Sequence, residues 1–166
     1  CARCESITQA PVEAHVIDKG IPTTGLLAQV LVGKYADHLP LYRQEAIFGR
    51  AGLAIPRSTL AQWVGTCGVR LQPLVDALKT EILGHRVLHA DETPVAMLKP
   101  GDGKTHRAYL WAYAPGAFES IKAVVYDFCE SRSGEHARHF LGHGTDKAWK
   151  GSLTCDDFSG YKALIA

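Results

Sequence analysis

The sequence lacks the features that mark several specialised classes of protein. Among its 166 residues, no run approaches the roughly 18 consecutive apolar residues that cross a membrane. No basic segment followed by an apolar one indicates a secretory leader, and there are no internal repeats or low-complexity tracts. With 46% hydrophobic residues, the chain can bury a core. We therefore expect a folded cytoplasmic protein without a membrane partner.

The chain also has little net charge. Its formal charge is +1 at pH 7, so no overall positive field attracts nucleic acid. Phosphates are neutralised by individually placed cations rather than by total charge. Composition therefore neither indicates nor excludes a nucleic-acid partner, which would have to be bound by local patches.

Cysteines are few and unevenly spaced. The five cysteines are an odd number, which argues against a disulfide framework. Cys1 and Cys4 are separated by two residues, as in a zinc knuckle, but a tetrahedral zinc site needs four ligands. The pair is either half of a zinc ribbon whose other half precedes Cys1, or two unrelated thiols.

Helical periodicity dominates residues 21–83. Thr23 and Thr24 can cap a first helix, whose apolar residues recur at helical spacing as far as Tyr35. A short second helix is predicted over Tyr42–Phe48. This part of the chain is therefore predicted to be α-helical.

A longer third helix is predicted to start after Ser58, which is a good N-cap. Its apolar stripe consists of Leu60, Val64, Cys67, Leu71, Leu74 and Leu78. Gly65, Gly68 and Pro73 interrupt this stripe and are expected to loosen or kink the helix.

The two helical segments between Leu41 and Val64 are spaced like a helix-turn-helix. Four of their polar side chains are candidates for contact with DNA phosphates or bases: Arg43, Arg50, Arg57 and Gln62. An ordinary helical hairpin with solvated arginines has the same spacing and is the more common structure. The sequence leaves both interpretations open.

Beyond Gly84 the pattern changes from helical to alternating. Three strands, a helix, a short strand and a further helix are predicted in that order: Arg86–Val95, His106–Ala114, Ile121–Phe128, Ser133–Leu141, Ser152–Cys155 and Ser159–Leu164. The β-β-β-α-β-α order predicts an α/β domain with a three-stranded meander, a crossover helix and a fourth strand beside the first.

Acidic residues follow the apolar runs of the first and fourth predicted strands and are expected at the C-terminal edge of these strands, in Asp91-Glu92 and Asp156-Asp157. Because these strands are expected to be neighbours, Asp91 and Asp156 should face each other across one groove. Converging carboxylates repel each other unless a cation compensates, and Mg²⁺ or Mn²⁺ suits them because hard cations prefer oxygen ligands. Either acid alone is more simply a turn cap, but both together favour a metal site.

Histidines are weaker candidates. His89 is on the same strand face as Asp91 and either orients water or phosphate or simply packs. His136, His139 and His143 have a spacing that suits a metal, on or just past a predicted helix. Without an acidic or cysteine partner nearby, they are better explained as a polar helix face.

Three separated blocks of the sequence resemble transposases of the insertion-sequence-66 family: Lys34–Gln44, Arg57–Gly65 and His89–Val95. The blocks occur in the family's order, and the resemblance extends from Cys1 to Ala166. It implies a zinc-ribbon tail over 1–20, a helical segment over 21–83, and an RNase H-like catalytic domain over 84–166 with an Asp-Asp-Glu triad.

The resemblance also assigns the acids and the cysteines. Asp91 matches the family's first aspartate, and the register of Gly160-Tyr161 selects Asp156 rather than Asp157 as the second. The two N-terminal cysteines match the second half of the ribbon. The third acid, a glutamate on a later helix, has no match in this sequence, so both the ribbon and the catalytic domain are expected to be truncated. Glu92 is not a substitute, because neighbours on a strand point to opposite faces.

The function that the resemblance implies is metal-dependent cleavage and transfer of DNA strands during transposition. It implies Mg²⁺ or Mn²⁺ at the acids, possible Zn²⁺ in the ribbon, double-stranded DNA as partner, a homo-oligomer, and a location at the bacterial nucleoid. The alternative is a catalytically incomplete DNA-binding remnant that uses the helical hairpin. Because one of three metal ligands is missing, the sequence leaves both open for this chain.

Overall fold

The computed structural model describes residues 3–5, 7, 10, 14–18, 20–99 and 101–162. In this part of the chain the helices and strands are, in order, α1 (Thr24–Tyr35), α2 (Leu41–Arg50), α3 (Arg57–Leu83), β1 (Val87–Leu98), β2 (Thr105–Pro115), β3 (Val125–Cys129), α4 (Gly134–Phe140), β4 (Ser152–Thr154) and α5 (Ser159–Lys162). The predicted helices and strands are all present. The last two residues of the predicted final helix, 163 and 164, lie outside the described residues.

The chain divides into two compact units, Cys1–Gln72 and Pro73–Ala166. The division falls inside α3, which is assigned as one continuous helix despite the two glycines and the proline within it. Pro73 lacks a backbone N–H and so removes one helical hydrogen bond at this point. Each unit has its own hydrophobic core.

The first helix of the N-terminal unit begins where the sequence predicts. Thr23 is the N-cap, and its Oγ1 accepts a hydrogen bond from the Leu26 amide at 3.3 Å. After α1 the chain turns at His38, which has a φ of 54°. The Leu39 amide then donates to the Gly33 carbonyl at 2.8 Å, so the turn is closed before α2 begins.

Gln44 joins α1 to α2 through its side chain. The residue is only 4% exposed, and its Nε2 donates to the carbonyls of Val30 at 3.2 Å and Leu39 at 3.1 Å. A Cβ at Gly33 would lie 3.3 Å from the Gln44 amide, so the glycine leaves room for this contact. A buried polar group is tolerated here because it is hydrogen-bonded.

The predicted start of α3 is wrong. Ser58 is not the N-cap, because α3 begins at Arg57. The Arg57 amide donates to Glu45 Oε1 at 2.8 Å, and the Leu60 amide donates to the Pro56 carbonyl at 3.1 Å. These two acceptors satisfy amides at the start of the helix, which begins two residues earlier than predicted.

The apolar stripe of α3 is not one continuous buried face. Leu60 and Cys67 are buried in the N-terminal core, and Leu78 packs against the C-terminal core. Between them, Leu71 is 44% exposed and Leu74 is 67% exposed. The stripe is interrupted because its two ends pack in different compact units.

In the C-terminal unit, four strands form one sheet in the order β3-β2-β1-β4. The strands β1, β2 and β3 form an antiparallel meander, and β4 pairs parallel to β1 after the α4 crossover. This topology confirms the predicted arrangement. β3 begins four residues later than predicted, because β2 ends at Pro115, which has no N–H to donate to a longer partner strand.

One face of the sheet is covered by α4 and carries the core. Trp111 and Tyr113 are fully buried there, and the rings of Tyr113 and Phe140 stack with their centroids 3.7 Å apart. The opposite face carries alternate residues of β1, including His89 and Asp91. The sheet therefore separates the core from the predicted acidic groove.

Candidate carboxylate site at the end of two parallel strands

The parallel pairing of β1 and β4 brings the two predicted acids to the same place. His89 is paired with Thr154 in the last position of this ladder. Asp91 follows His89 by two residues and Asp156 follows Thr154 by two residues. Two-residue steps preserve the face of a strand, so Asp91 shares the face of His89 within β1, and Asp156 lies just beyond the end of β4.

Asp91 and Asp156 line one groove of about 490 Å³. The other residues that line it are His89, Ala90, Ala112, Ala114, Val124, Tyr126, Thr154 and Cys155. The floor is formed by small side chains of β1 and β2, which leave space above the sheet. Both acids are exposed to solvent, so the groove is open to an external ligand.

Each acid uses one carboxylate oxygen locally. Asp91 Oδ1 accepts a hydrogen bond from the Glu92 amide at 3.0 Å, and Asp156 Oδ1 accepts one from the Phe158 amide at 3.1 Å. Asp156 thus caps a turn, as acids after strands often do, and its Oδ2 lies 3.9 Å from Arg132 Nη2. Asp156 therefore has a backbone amide at one oxygen and a guanidinium near the other.

Asp157 has a different environment from Asp156. Its side chain is 93% exposed, and its Oδ1 lies 2.9 Å from Lys162 Nζ. It is not among the residues that line the groove. Of these two acids, only Asp156 lines the groove with Asp91.

Glu92 points to the opposite side of β1 from Asp91. Its side chain is fully buried, and it accepts hydrogen bonds from Arg132 Nε at 2.7 Å and from Tyr161 Oη at 2.8 Å. Burial and the hydrogen bond to Glu92 raise the pKa of the Tyr161 hydroxyl well above its usual range. Glu92 is therefore a structural acid, and it does not join the two groove acids.

The charge of Asp156 contributes to the pKa shifts of two neighbouring groups. The pKa of the Cys155 thiol is raised by burial and then by the negative charge of Asp156. The pKa of the Arg132 guanidinium is raised first by its hydrogen bond to Glu92 and further by the charges of Glu92 and Asp156. The field in and behind the groove is therefore one that favours cations.

The donor set of the groove fits a hard cation in part. Two carboxylates suit Mg²⁺ or Mn²⁺, which use one or two carboxylates together with water and phosphate oxygens. Among the described residues, no group of three or more His, Cys, Asp or Glu side chains is placed to hold a metal ion. This applies to His136, His139 and His143 as well; His136 Nε2 instead lies 2.8 Å from Ser131 Oγ.

The predicted DNA-contacting residues all lie on the surface of the N-terminal unit. The exposed residues are Arg43, Arg50, Arg57 and Gln62. Arg43 Nε donates to its neighbour, the Tyr42 hydroxyl, at 3.1 Å. The connection between α2 and α3 spans residues 51–56, which is longer than the turn of a typical helix-turn-helix. The four side chains are accessible to DNA, and their role stays a prediction.

The predicted half zinc site lies at the edge of the described chain. Cys1 is outside the described residues, and Cys4 is exposed in a turn. The zinc ribbon therefore stays a prediction.

Sequence reasoning missed Arg132 and Tyr161 as partners of Glu92. The signal was available in part, because an acid at an inward position of β1 requires a hydrogen-bonding or cationic partner. The partners lie 40 and 69 positions away along the chain, so no local pattern could identify them.

The fold and the groove define a class: a mixed α/β unit with two carboxylates beside a pair of parallel strands. Asp91 lies within β1 rather than at the C-terminal end of the strand as predicted, and Asp156 lies just after β4. The family model of the transposase IS66 family matches residues 19–166, and the chain belongs to this family. No described helix is long and apolar enough to cross a membrane.

Curated relatives come from Sinorhizobium fredii (strain NBRC 101917 / NGR234). The uncharacterized protein y4qI is 42% identical over 165 residues, covering 96% of this chain and 30% of the relative. The uncharacterized protein y4jD is 38% identical over 169 residues, covering 99% of this chain and 32% of the relative. The chain thus spans about a third of the length of these relatives. No solved structure matches it significantly.

Proposed function

We propose that this chain carries two of the catalytic carboxylates of an IS66-family transposase, on an RNase H-like fold. The observation that supports this most directly is the parallel pairing of β1 with β4, which brings Asp91 and Asp156 to one groove. Family membership makes DNA the expected substrate. No observation on the described residues favours the alternative of a non-catalytic remnant.

In this proposal, Asp91 and Asp156 hold Mg²⁺ or Mn²⁺, which when bound activates a nucleophile and stabilises the leaving oxygen of a phosphodiester. One oxygen of each acid is bonded to a backbone amide, and the other oxygen would bind the cation, next to the Arg132 guanidinium in the case of Asp156. His89 lines the same groove and is in place to hydrogen-bond a phosphate oxygen. The proposal covers these two acids alone.

The proposed partners are the transposon ends and the target DNA, held by a homo-oligomer at the nucleoid. Arg43, Arg50 and Arg57 would contact phosphates, with Gln62 beside them. Because net charge is only +1, such placed cations must supply the attraction to DNA. Base readout by these side chains is not required for the proposal.

Calorimetric titration with Mn²⁺ tests the site assignment. We expect measurable binding to the unmodified chain and at least a roughly tenfold loss of affinity in Asp91→Ala and in Asp156→Ala, since each removes one of two carboxylate ligands. Asp157→Ala is the matched control and should bind as the unmodified chain does. Unchanged affinity in both groove variants would show that the metal site is elsewhere.

The DNA contacts are tested by the salt dependence of duplex binding. Replacing Arg43, Arg50 and Arg57 together by Ala should make the slope of log K against log salt shallower by about 3, because each phosphate contact contributes roughly 0.9. Arg70→Ala is the control, as Arg70 is also exposed in this unit but pairs with Asp18. An unchanged slope in the triple variant would exclude these arginines from the DNA interface.

A further inference from the structure

Arg132 lies between a buried acid and a groove acid. It occupies the segment between β3 and α4, where its side chain remains 42% exposed. Its Nε donates to Glu92 Oε1 at 2.7 Å and its Nη2 bonds the same oxygen, while Nη2 is also 3.9 Å from Asp156 Oδ2. One guanidinium therefore contacts the neighbour of Asp91 in sequence and approaches Asp156 itself.

The Glu92 end of this contact is fixed. The Glu92 side chain is fully buried, and both of its oxygens have partners, Arg132 on Oε1 and Tyr161 on Oε2. A buried carboxylate that lost these partners would be strongly destabilised. Glu92 consequently holds the guanidinium at a set position relative to β1, and hence relative to Asp91.

The segment that carries Asp156 is attached to the same guanidinium. The Phe158 ring centroid lies 3.8 Å from Arg132 Cζ, within the range of a cation–π contact. The Phe158 amide in turn donates to Asp156 Oδ1. Three residues later, the Tyr161 hydroxyl donates to Glu92. Residues 156–161 thus meet the Glu92–Arg132 pair at three points.

We infer that Arg132 is a positioning residue that fixes the Asp156 carboxylate relative to Asp91. The inference rests on the proposed function for the role of the two acids. Asp156 follows the three-residue strand β4, so the ladder alone gives it little support. The guanidinium holds the segment that carries Asp156 in place, and its positive charge offsets the repulsion between the Asp91 and Asp156 carboxylates.

Arginine suits this role better than lysine. Its planar guanidinium presents several N–H donors in a fixed fork and also stacks on aromatic rings. A lysine at this position would keep the charge but would bond Glu92 or approach Asp156 with a single ammonium group. Arg132→Lys therefore keeps the positive charge and removes the planar fork of N–H donors.

Hydrogen exchange of the metal-free chain tests the positioning directly. In Arg132→Lys, we expect the amides of Phe158 and Tyr161 to exchange at least tenfold faster, while the core amide of Trp111 is unchanged. Arg138→Lys is the matched control, because Arg138 is 39% exposed and pairs with Glu135. Unchanged exchange at Phe158 and Tyr161 would overturn the inference, whether or not the chain binds metal.

Mn²⁺ titration of the same variants tests the consequence. Arg132→Lys should weaken Mn²⁺ binding at least fivefold, and Arg138→Lys should not change it. Faster exchange with unchanged Mn²⁺ affinity would overturn the role in the metal site. If the unmodified chain bound no Mn²⁺, the proposed function would fail, and the exchange result would still decide whether Arg132 holds Asp156.

A second variant covers the case in which Arg132→Lys does not fold. The double change Glu92→Gln with Arg132→Gln replaces the ion pair by two neutral amides and leaves no buried charge without a partner. We expect the same acceleration of exchange at Phe158 and Tyr161 in this variant. Slow exchange there would show that neither side chain of the pair supports the segment.

Discussion

At the residue scale, Cys129 shows how the fold changes the chemistry of a thiol. Cys129 is 8% exposed on the core face of β3, and its Sγ lies 3.7 Å from Asp127 Oδ2. Burial raises the pKa of the Cys129 thiol to about 11, and the negative charge of Asp127 adds to this effect. The folded state therefore favours the protonated thiol.

This shift predicts a loss of stability at alkaline pH. The thiol has a pKa of about 11 in the folded chain, against 9.0 for an unperturbed thiol. Its contribution to the free energy of unfolding is therefore fully present below pH 9. It is then lost as pH rises toward 11, by up to about 2 kcal/mol. In urea unfolding, Cys129→Ala should therefore show a shallower fall in unfolding free energy over this pH range. Identical slopes for the variant and the unmodified chain would contradict the assignment.

Single residues were predictable where a local pattern determines them. The alternation along β1 predicts that Asp91 and Glu92 point to opposite faces, and the structure confirms it. The partners of Glu92 and the buried amide of Gln44 were not predictable, because each contact joins residues distant in sequence. Such contacts depend on packing between elements rather than on local propensity.

At the scale of elements, α4 and α5 meet through their backbones. A Cβ at Gly134 would lie 2.9 Å from the Gly160 Cα and closer still to its carbonyl oxygen. Such a distance is too short for an unstrained contact, and backbone atoms cannot move aside as a flexible side chain does. The first turn of α4 therefore requires glycine at this contact.

Gly134→Ala is predicted to destabilise the C-terminal unit by about 1–3 kcal/mol, as overpacked sites do. The matched control is Gly68→Ala in α3, where a Cβ would meet nothing within 4 Å. There the same change should stabilise by roughly 0.5–1 kcal/mol, because alanine is the better helix former. Thermal unfolding of both variants measures the difference. Equal shifts in the same direction would show that the α4–α5 contact can relax.

Helix and strand boundaries were predictable where capping is local. Thr23 and Ser133 are N-caps as their sequences suggest. The start of α3 was mispredicted at Ser58, because Glu45 of another helix satisfies the amide of Arg57. The start of β3 was mispredicted because its length depends on where the neighbouring β2 ends.

At the scale of the whole molecule, the sheet order was predictable from the order of the strands. A β-β-β-α-β sequence with a crossover helix leads the fourth strand back beside the first, which is what places Asp91 near Asp156. The division of the chain was harder to predict, because α3 runs through Gln72 and Pro73 without a loop. The division is seen only in the two separate hydrophobic cores.

Because each unit has its own core, we expect a substitution that destabilises one unit to leave the stability of the other unchanged. Gln44→Ala removes the hydrogen bond that joins α2 to Val30 of α1 and the one to Leu39 in the connecting turn, and it leaves the Leu39 carbonyl without that partner. Loss of a buried partner costs about 1–3 kcal/mol, so amides in the core of the N-terminal unit should exchange roughly 10- to 100-fold faster. Amides of β1 and β2 should keep their rates. Gln29→Ala, at an exposed position of α1, is the control, and equal acceleration in both units would show that the chain unfolds as one cooperative body.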